Sequence, residues 1–188
     1  KPYFEIRWAL VPTKDTLTRT LEAHTNRVTS VAISSDNTKF VSGSYDNTVK
    51  VWDLNTGKLL NTFEGHSSVV ESVAISSDNT KIVSGSFDGT IKVWDLNTGK
   101  LLNTLESHSG CVWSVTISPD NTKMLSRSYG DGTIKVWDLN TGNLLNTLEG
   151  YAKGPLAVAV SSDNTKLVSE TPDDEIDVWD LKTHNVIN

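Results

Sequence analysis

Four tryptophans, Trp52, Trp94, Trp137 and Trp179, are spaced 42, 43 and 42 residues apart, and each is followed by an aspartate, Asp53, Asp95, Asp138 and Asp180. A fixed period of this length decides the whole fold and is read before any single element. The stretches VKVWDLNTGKLLNTFEGH, IKVWDLNTGKLLNTLESH and IKVWDLNTGNLLNTLEGY around the first three nearly superimpose. Within one period the pattern predicts four short strands. Val28 to Ile33 alternates and ends in Ser34-Ser35-Asp36-Asn37, residues that tolerate left-handed backbone or bond to their own backbone. Lys39 to Ser44 follows, closed by Tyr45-Asp46-Asn47. Thr48 to Asp53 is the third strand, and Asn55-Thr56-Gly57 reads as a tight hairpin with glycine in the left-handed position before the fourth, Leu59 to Phe63. No helical periodicity appears, so the chain is all-β; a parallel β-helix has much shorter rungs.

The pairs Gly65-His66 and Trp94-Asp95, with 28 residues from histidine to tryptophan, resemble the WD40 repeat, whose units form the blades of a β-propeller. The resemblance runs from about residue 16 to 188, with repeats at about 21–62, 63–104, 105–147 and 148–188. It implies about four four-stranded antiparallel blades, with Trp-Asp closing each third strand. The leading segment LTRTLEAH matches the fourth-strand sequence LLNTFEGH, so the chain opens on an outer strand; residues 1–15, with Trp8, read as a degenerate remnant of a preceding blade or a linker. Propellers of this kind carry about seven or eight blades. The expectation is therefore a partial, open propeller belonging to a longer protein, with a homo-oligomer completing a ring as the second possibility, because four units leave exposed edges.

Histidine, serine and aspartate recur in a way that invites a hydrolase triad: His24 with Ser42 or Ser44 and Asp46, His66 with Ser84 or Ser86 and Asp88, His108 with Ser126 or Ser128 and Asp131. An enzyme needs one such site, whereas here the set returns in three copies. The WD40 resemblance implies instead a buried hydrogen-bonded network in each blade, joined by Trp52, Trp94 and Trp137. Repeat three carries one extra residue in Tyr129-Gly130-Asp131-Gly132, which accounts for the 43-residue spacing. Repeat four keeps Asp173 and Trp179 but has Tyr151 at the histidine position, Pro155 in its first strand, and Glu170 and Pro172 beside Thr171, so its network is expected to be incomplete.

Composition narrows the function. With 17 Lys+Arg against 23 Asp+Glu the net charge is −6, which argues against a protein built to coat phosphate backbones or anionic lipid. A single cysteine, Cys111, excludes an internal disulfide framework and multi-cysteine metal sites and suggests a reducing compartment. No apolar run is long enough to span a bilayer as a helix, and a soluble, cytoplasmic module is expected. Asn-Thr-Gly-Lys at 55–58 and 97–100 lacks the upstream glycine and strand-to-helix context of a phosphate loop and reads as a hairpin. The histidines do not cluster with carboxylates at metal spacing, and no cofactor is expected.

Positions that differ between otherwise repeated units are where a partner can be specified. Arg27, Val69 and Cys111 align in the first strands; Thr29, Glu71 and Trp113 align two residues on; Tyr45, Phe87 and Tyr129 precede the second turn. Resemblance to WD40 proteins places these on the upper surface near the channel, so Arg27, Thr29, Tyr45, Glu71, Phe87, Trp113 and Tyr129 are the candidate partner-binding residues. Aromatic residues and arginine suit a protein or peptide interface. The expected function is a non-catalytic protein–protein interaction scaffold. The alternatives are a regulatory or sensor propeller attached to a catalytic domain outside the chain, or a propeller enzyme with a site in its channel.

Overall fold

A computed structural model of the chain describes residues 20–21, 24–106, 108–149, 158–170, 176–181 and 183. Fifteen strands are present among them, and none of the described residues is helical. Sheet 1 comprises β1 (Val28–Ile33), β2 (Lys39–Ser44), β3 (Val49–Asp53) and β4 (Leu59–Phe63). Sheet 2 holds β5 (Val70–Ile75), β6 (Lys81–Ser86), β7 (Thr90–Asp95) and β8 (Leu101–Glu106). Sheet 3 holds β9 (Val112–Ile117), β10 (Lys123–Ser128), β11 (Ile134–Asp138) and β12 (Leu144–Leu148). Sheet 4 has three described strands, β13 (Val158–Val160), β14 (Lys166–Glu170) and β15 (Ile176–Asp180). Each sheet is an antiparallel meander in chain order, and sheets 1 to 3 are the four-stranded blade that the repeat predicts. Residues 1–15, Tyr151, Pro155, Pro172 and Asp173 lie outside the described residues.

Local chemistry sets the strand ends. Asn37, Asn79, Asn121 and Asn164 all adopt left-handed backbone, φ 55 to 59°, in the turn after each first strand. Asparagine tolerates that region better than other residues with a Cβ. In the hairpin between the third and fourth strands Gly57, Gly99 and Gly142 take φ 69 to 75°, where a side chain is strained.

The core lies between sheets rather than within one. Val41, Val49, Val51 and Phe63 of sheet 1 pack on Val70, Val73, Ile82, Trp94 and Leu96 of sheet 2. Val83, Ile91 and Val93 of sheet 2 likewise meet Val112, Val115, Met124, Trp137 and Leu139 of sheet 3. Sheet 3 then packs on Leu167 and Leu181 of sheet 4. A single four-stranded sheet cannot cover its own apolar faces, so each unit depends on its neighbour for burial. Phe63 reaches across the first joint to Trp94, ring centroids 5.4 Å apart.

Two glycines allow a close approach of strands across the first two joints. A Cβ on Gly43 would stand 2.8 Å from Val70 Cγ1, and one on Gly85 would stand 2.6 Å from Val112 Cγ1 and 2.9 Å from Val115 Cγ1. Gly85 does not have positive φ, so its importance is steric. Removing a glycine from the unfolded chain favours folding by about 0.4–1 kcal/mol, but overpacking of this kind costs about 1–3 kcal/mol. The steric cost is the larger. Gly85→Ala is therefore expected to lower the denaturant midpoint, with an unchanged slope, in equilibrium unfolding.

Candidate functional site

The first candidate is the histidine set. In sheet 1 the Asp46 carboxylate lies 2.8 Å from His24 Nδ1, His24 Nε2 lies 2.7 Å from Ser42 Oγ, and the Trp52 indole N–H donates to that oxygen at 2.9 Å. Sheet 2 repeats it with Asp88, His66, Ser84 and Trp94 at 2.9, 2.8 and 2.9 Å. Sheet 3 repeats it with Asp131, His108, Ser126 and Trp137 at 2.8, 2.8 and 2.9 Å, the extra residue before Asp131 being absorbed in the turn. The second serines do a different job: Ser44 and Ser86 donate to the carbonyls of Asn26 and Ser68 and accept the backbone N–H of Asp46 and Asp88. Ser128 accepts the Gly130 N–H. In sheet 4 the register Leu167↔Trp179 and Ser169↔Asp177 matches Phe40↔Trp52 and Ser42↔Lys50, so Ser169 and Trp179 hold the corresponding places.

Each aspartate is saturated. Thr48, Thr90 and Thr133 give Asp46, Asp88 and Asp131 both a backbone N–H and a hydroxyl, and the backbone N–H groups of Thr25, Ser67 and Ser109 add one bond each. Burial alone would raise these carboxyls. The hydrogen bonds from threonine and histidine outweigh it and hold Asp46, Asp88 and Asp131 below the ordinary carboxylate range. Burial also pushes His108 down, against the pull of Asp131. With the carboxylate ionised and only accepting, a neutral imidazole donates from Nδ1 and accepts the serine hydroxyl at Nε2, and the serine in turn accepts the indole N–H. Every donor is used. The spacing matches a nucleophile–base–acid relay, yet Ser42, Ser84 and Ser126 are all buried and each hydroxyl is already engaged by an imidazole and an indole. Sequence reasoning overlooked the threonines, although their recurrence two residues after each turn aspartate marks them.

The second candidate is the set of positions that vary. Thr29, Glu71 and Trp113 share a feature invisible in the sequence. Val28 pairs with Ser44 and Ser30 with Gly43; Val70 pairs with Ser86 and Ser72 with Gly85; Val112 pairs with Ser128 and Ser114 with Arg127. Each is thus the extra residue of a β-bulge, released from the ladder so that its side chain can be re-aimed. Thr29 uses that freedom internally, its one hydroxyl proton shared between the Gly43 carbonyl of its own sheet and the Val70 carbonyl across the first joint. Burial raises the Glu71 carboxyl against the pull of Arg27, and Glu71 Oε2 is buried with no hydrogen-bond partner.

Trp113 packs between Phe87, 5.2 Å away, and Tyr129, 6.3 Å away. Its indole N–H is also buried and unpartnered. Tyr129 is 57% exposed. The Arg27 guanidinium sits 5.5 Å over the Tyr45 ring. The structure therefore gathers Phe87, Trp113 and Tyr129 into one aromatic cluster, and Arg27 with Tyr45 into a second group that Glu71 faces through its charge. Cys111 is half-buried, its carbonyl accepting the Tyr129 N–H.

A family model described as "WD domain, G-beta repeat" matches residues 15–53, 57–95 and 99–138. The chain belongs to the WD40 repeat family. Each matched unit begins on an outer strand or its sequence equivalent and runs through the next three, so a sequence repeat straddles two sheets and clasps them together. The chain is 51% identical over 49 residues to the ribosome biogenesis protein YTM1 of Scheffersomyces stipitis, across 26% of this chain and 10% of that one. It is 42% identical over 60 residues to the pre-mRNA-splicing factor PRP46 of Eremothecium gossypii, across 31% and 12%. It is 50% identical over 40 residues to the vegetative incompatibility protein HET-E-1 of Podospora anserina, across 21% and 3%. The matches thus span about a tenth of the relatives or less.

His66→Ala is expected to strand the Asp88 and Ser84 side chains. An unpaired buried polar group costs about 1–3 kcal/mol, so the melting temperature is expected to fall by several degrees in a thermal scan. The depressed aspartates give the pH dependence its sign. Their stabilisation is complete above the unfolded carboxylate range near 4 and is lost as pH falls through it, while lowered His108 begins the loss below about 6.5. Unfolding free energy measured from pH 7 to 3 is expected to fall throughout, and more shallowly below pH 4 in Asp88→Asn.

Proposed function

We propose that this WD40-repeat chain is a non-catalytic interaction module that docks a protein or peptide on the cluster of Phe87, Trp113 and Tyr129, with Arg27, Tyr45 and Glu71 alongside. WD40 repeats typically mediate protein interactions and are generally non-catalytic. The observation that carries the proposal is the bulge. At an otherwise repeated place in the first strand it frees one side chain per unit, and the units fill it with threonine, glutamate and tryptophan. Side chains that make the scaffold recur; these do not.

The energetics fit a docking surface. A tryptophan flanked by two aromatic rings supplies large, rigid contact area, and Tyr129, 57% exposed, is the member of the cluster most open to a bound chain. Thr29, tied to two carbonyls, stands behind the surface rather than on it. The histidine sets have no part in binding because their groups satisfy one another. Two of the similar proteins are named for ribosome biogenesis and pre-mRNA splicing.

Peptides selected from a display library on the wild-type chain test the reading. Binding measured by calorimetry is expected to weaken at least tenfold in Trp113→Ala and in Phe87→Ala, each hot-spot truncation costing about 2 kcal/mol or more, with the circular dichroism spectrum unchanged. Selected peptides indifferent to both substitutions would remove this surface from consideration.

A further inference from the structure

The three rings of the aromatic cluster stand on three separate stretches of backbone, and glycines occur where those stretches touch. Phe87 lies two residues before Gly89 in the turn after β6, Trp113 three residues after Gly110 in the approach to β9, and Tyr129 immediately before Gly130 in the turn after β10. The middle stretch is held from both sides. A Cβ on Gly89 would stand 3.1 Å from the His108 carbonyl oxygen and 3.5 Å from that of Gly110, and the His108 N–H donates to the Gly89 carbonyl at 3.4 Å. On the other side a Cβ on Gly110 would stand 2.6 Å from Gly130 Cα and 2.9 Å from its nitrogen, and one on Gly130 would stand 2.7 Å from Gly110 Cα. The obstacles are backbone atoms, which cannot rotate away as the tip of a side chain can.

The first two units are not built this way. Asn26 and Ser68 occupy the place of Gly110. Gly130 has no counterpart in them at all. The Tyr129 N–H donates to the Cys111 carbonyl, as those of Tyr45 and Phe87 donate to Arg27 and Val69, and Ser128 Oγ accepts the Gly130 N–H where Ser44 and Ser86 accept that of the turn aspartate. The residue that lengthens the third spacing to 43 is therefore Gly130 itself, and it closes onto the approach loop that has glycine in place of asparagine or serine. Neither Gly110 nor Gly130 has positive φ, so what the pair requires is room.

We propose that Gly110 and Gly130 are positioning residues of the docking surface, and that their backbone contact is what sets the Tyr129 ring against Trp113, 6.3 Å away. The proposal rests on the docking role argued above for the cluster. Both rings are tied to the contact by short lengths of chain, and the Cys111 carbonyl that holds the Tyr129 N–H lies between Gly110 and Trp113. A loose turn would have to be ordered when a partner binds, whereas this stack of backbone orders it beforehand, and preorganisation of that kind raises affinity by removing the cost.

Two variants separate positioning from stability. Gly110→Ser installs the residue of unit two and drives a side chain into Gly130; deleting Gly130 in that background removes the obstacle and returns the turn to the length found in units one and two. Each is compared with the unaltered chain for the denaturant midpoint, for the nuclear Overhauser contact between the Trp113 and Tyr129 rings, and for calorimetric binding of the selected peptides. Gly110→Ser is expected to lower the midpoint, lose the ring contact and weaken binding by about tenfold or more, as removal of one hot-spot ring does. The deletion variant is expected to recover the midpoint and to recover neither the ring contact nor the binding. A purely structural pair would give back all three together. A folded Gly110→Ser that keeps the ring contact would overturn the proposal, as would a deletion variant that regains it, and the deletion variant decides alone if Gly110→Ser does not fold by circular dichroism. Peptides indifferent to Trp113→Ala would remove the docking role, while the ring contact still reads whether the two glycines place the rings.

Discussion

The structure depends on one constraint: a four-stranded sheet of this sequence is apolar on both faces and has to be covered on both. The valines that line β2 and β3 have no interior of their own, because a single antiparallel sheet encloses nothing. They are buried against the following unit, as Val41 and Val49 are in a cluster with Val70, Val73, Ile82 and Trp94. Stability in such an array is a sum of joints rather than a property of one core. This is why Gly43 and Gly85, where a Cβ would collide with the next unit's valines, sit at the joints.

Burying polar groups at the edge of those joints demands that each be paired. The Asp–His–Ser–Trp sets meet the demand by closing on themselves: indole to serine, serine to imidazole, imidazole to carboxylate, and the carboxylate to a threonine and a backbone N–H from the approaching loop. The same distances in a cleft would describe a hydrolase. What separates the two cases is access, since Ser84 has no exposed surface and its lone pairs are already engaged. Tying loop, turn and third strand together lets the polar set fix the blade's geometry where apolar packing alone would be indifferent to it.

Much of this was legible in the chain because repetition is itself a measurement. The strand spans, the glycine hairpins, the odd 43-residue spacing and the residue types of the polar set all recur. The register did not announce itself. That Ser42 rather than Ser44 meets His24 depends on which face of β2 each occupies, and either serine satisfies the pattern. The bulges at Thr29, Glu71 and Trp113 left no trace, because one extra residue in a six-residue strand hardly disturbs an alternation already blurred by burial on both faces. Thr29 shows the consequence. Its alignment with Glu71 and Trp113 groups it with the variable surface, while its hydroxyl belongs to the joint.

That divergence explains how one scaffold carries both repetition and variety. A residue in register serves the ladder and two packed faces at once, so it can change only with its neighbours. A bulged residue owes nothing to the ladder and can turn inward or outward. Threonine at 29 turns in and strengthens a joint; tryptophan at 113 stacks with the rings before and after it and keeps its N–H unspent. One position per unit is thereby released from the constraint that holds all the others, and the three units fill it with threonine, glutamate and tryptophan.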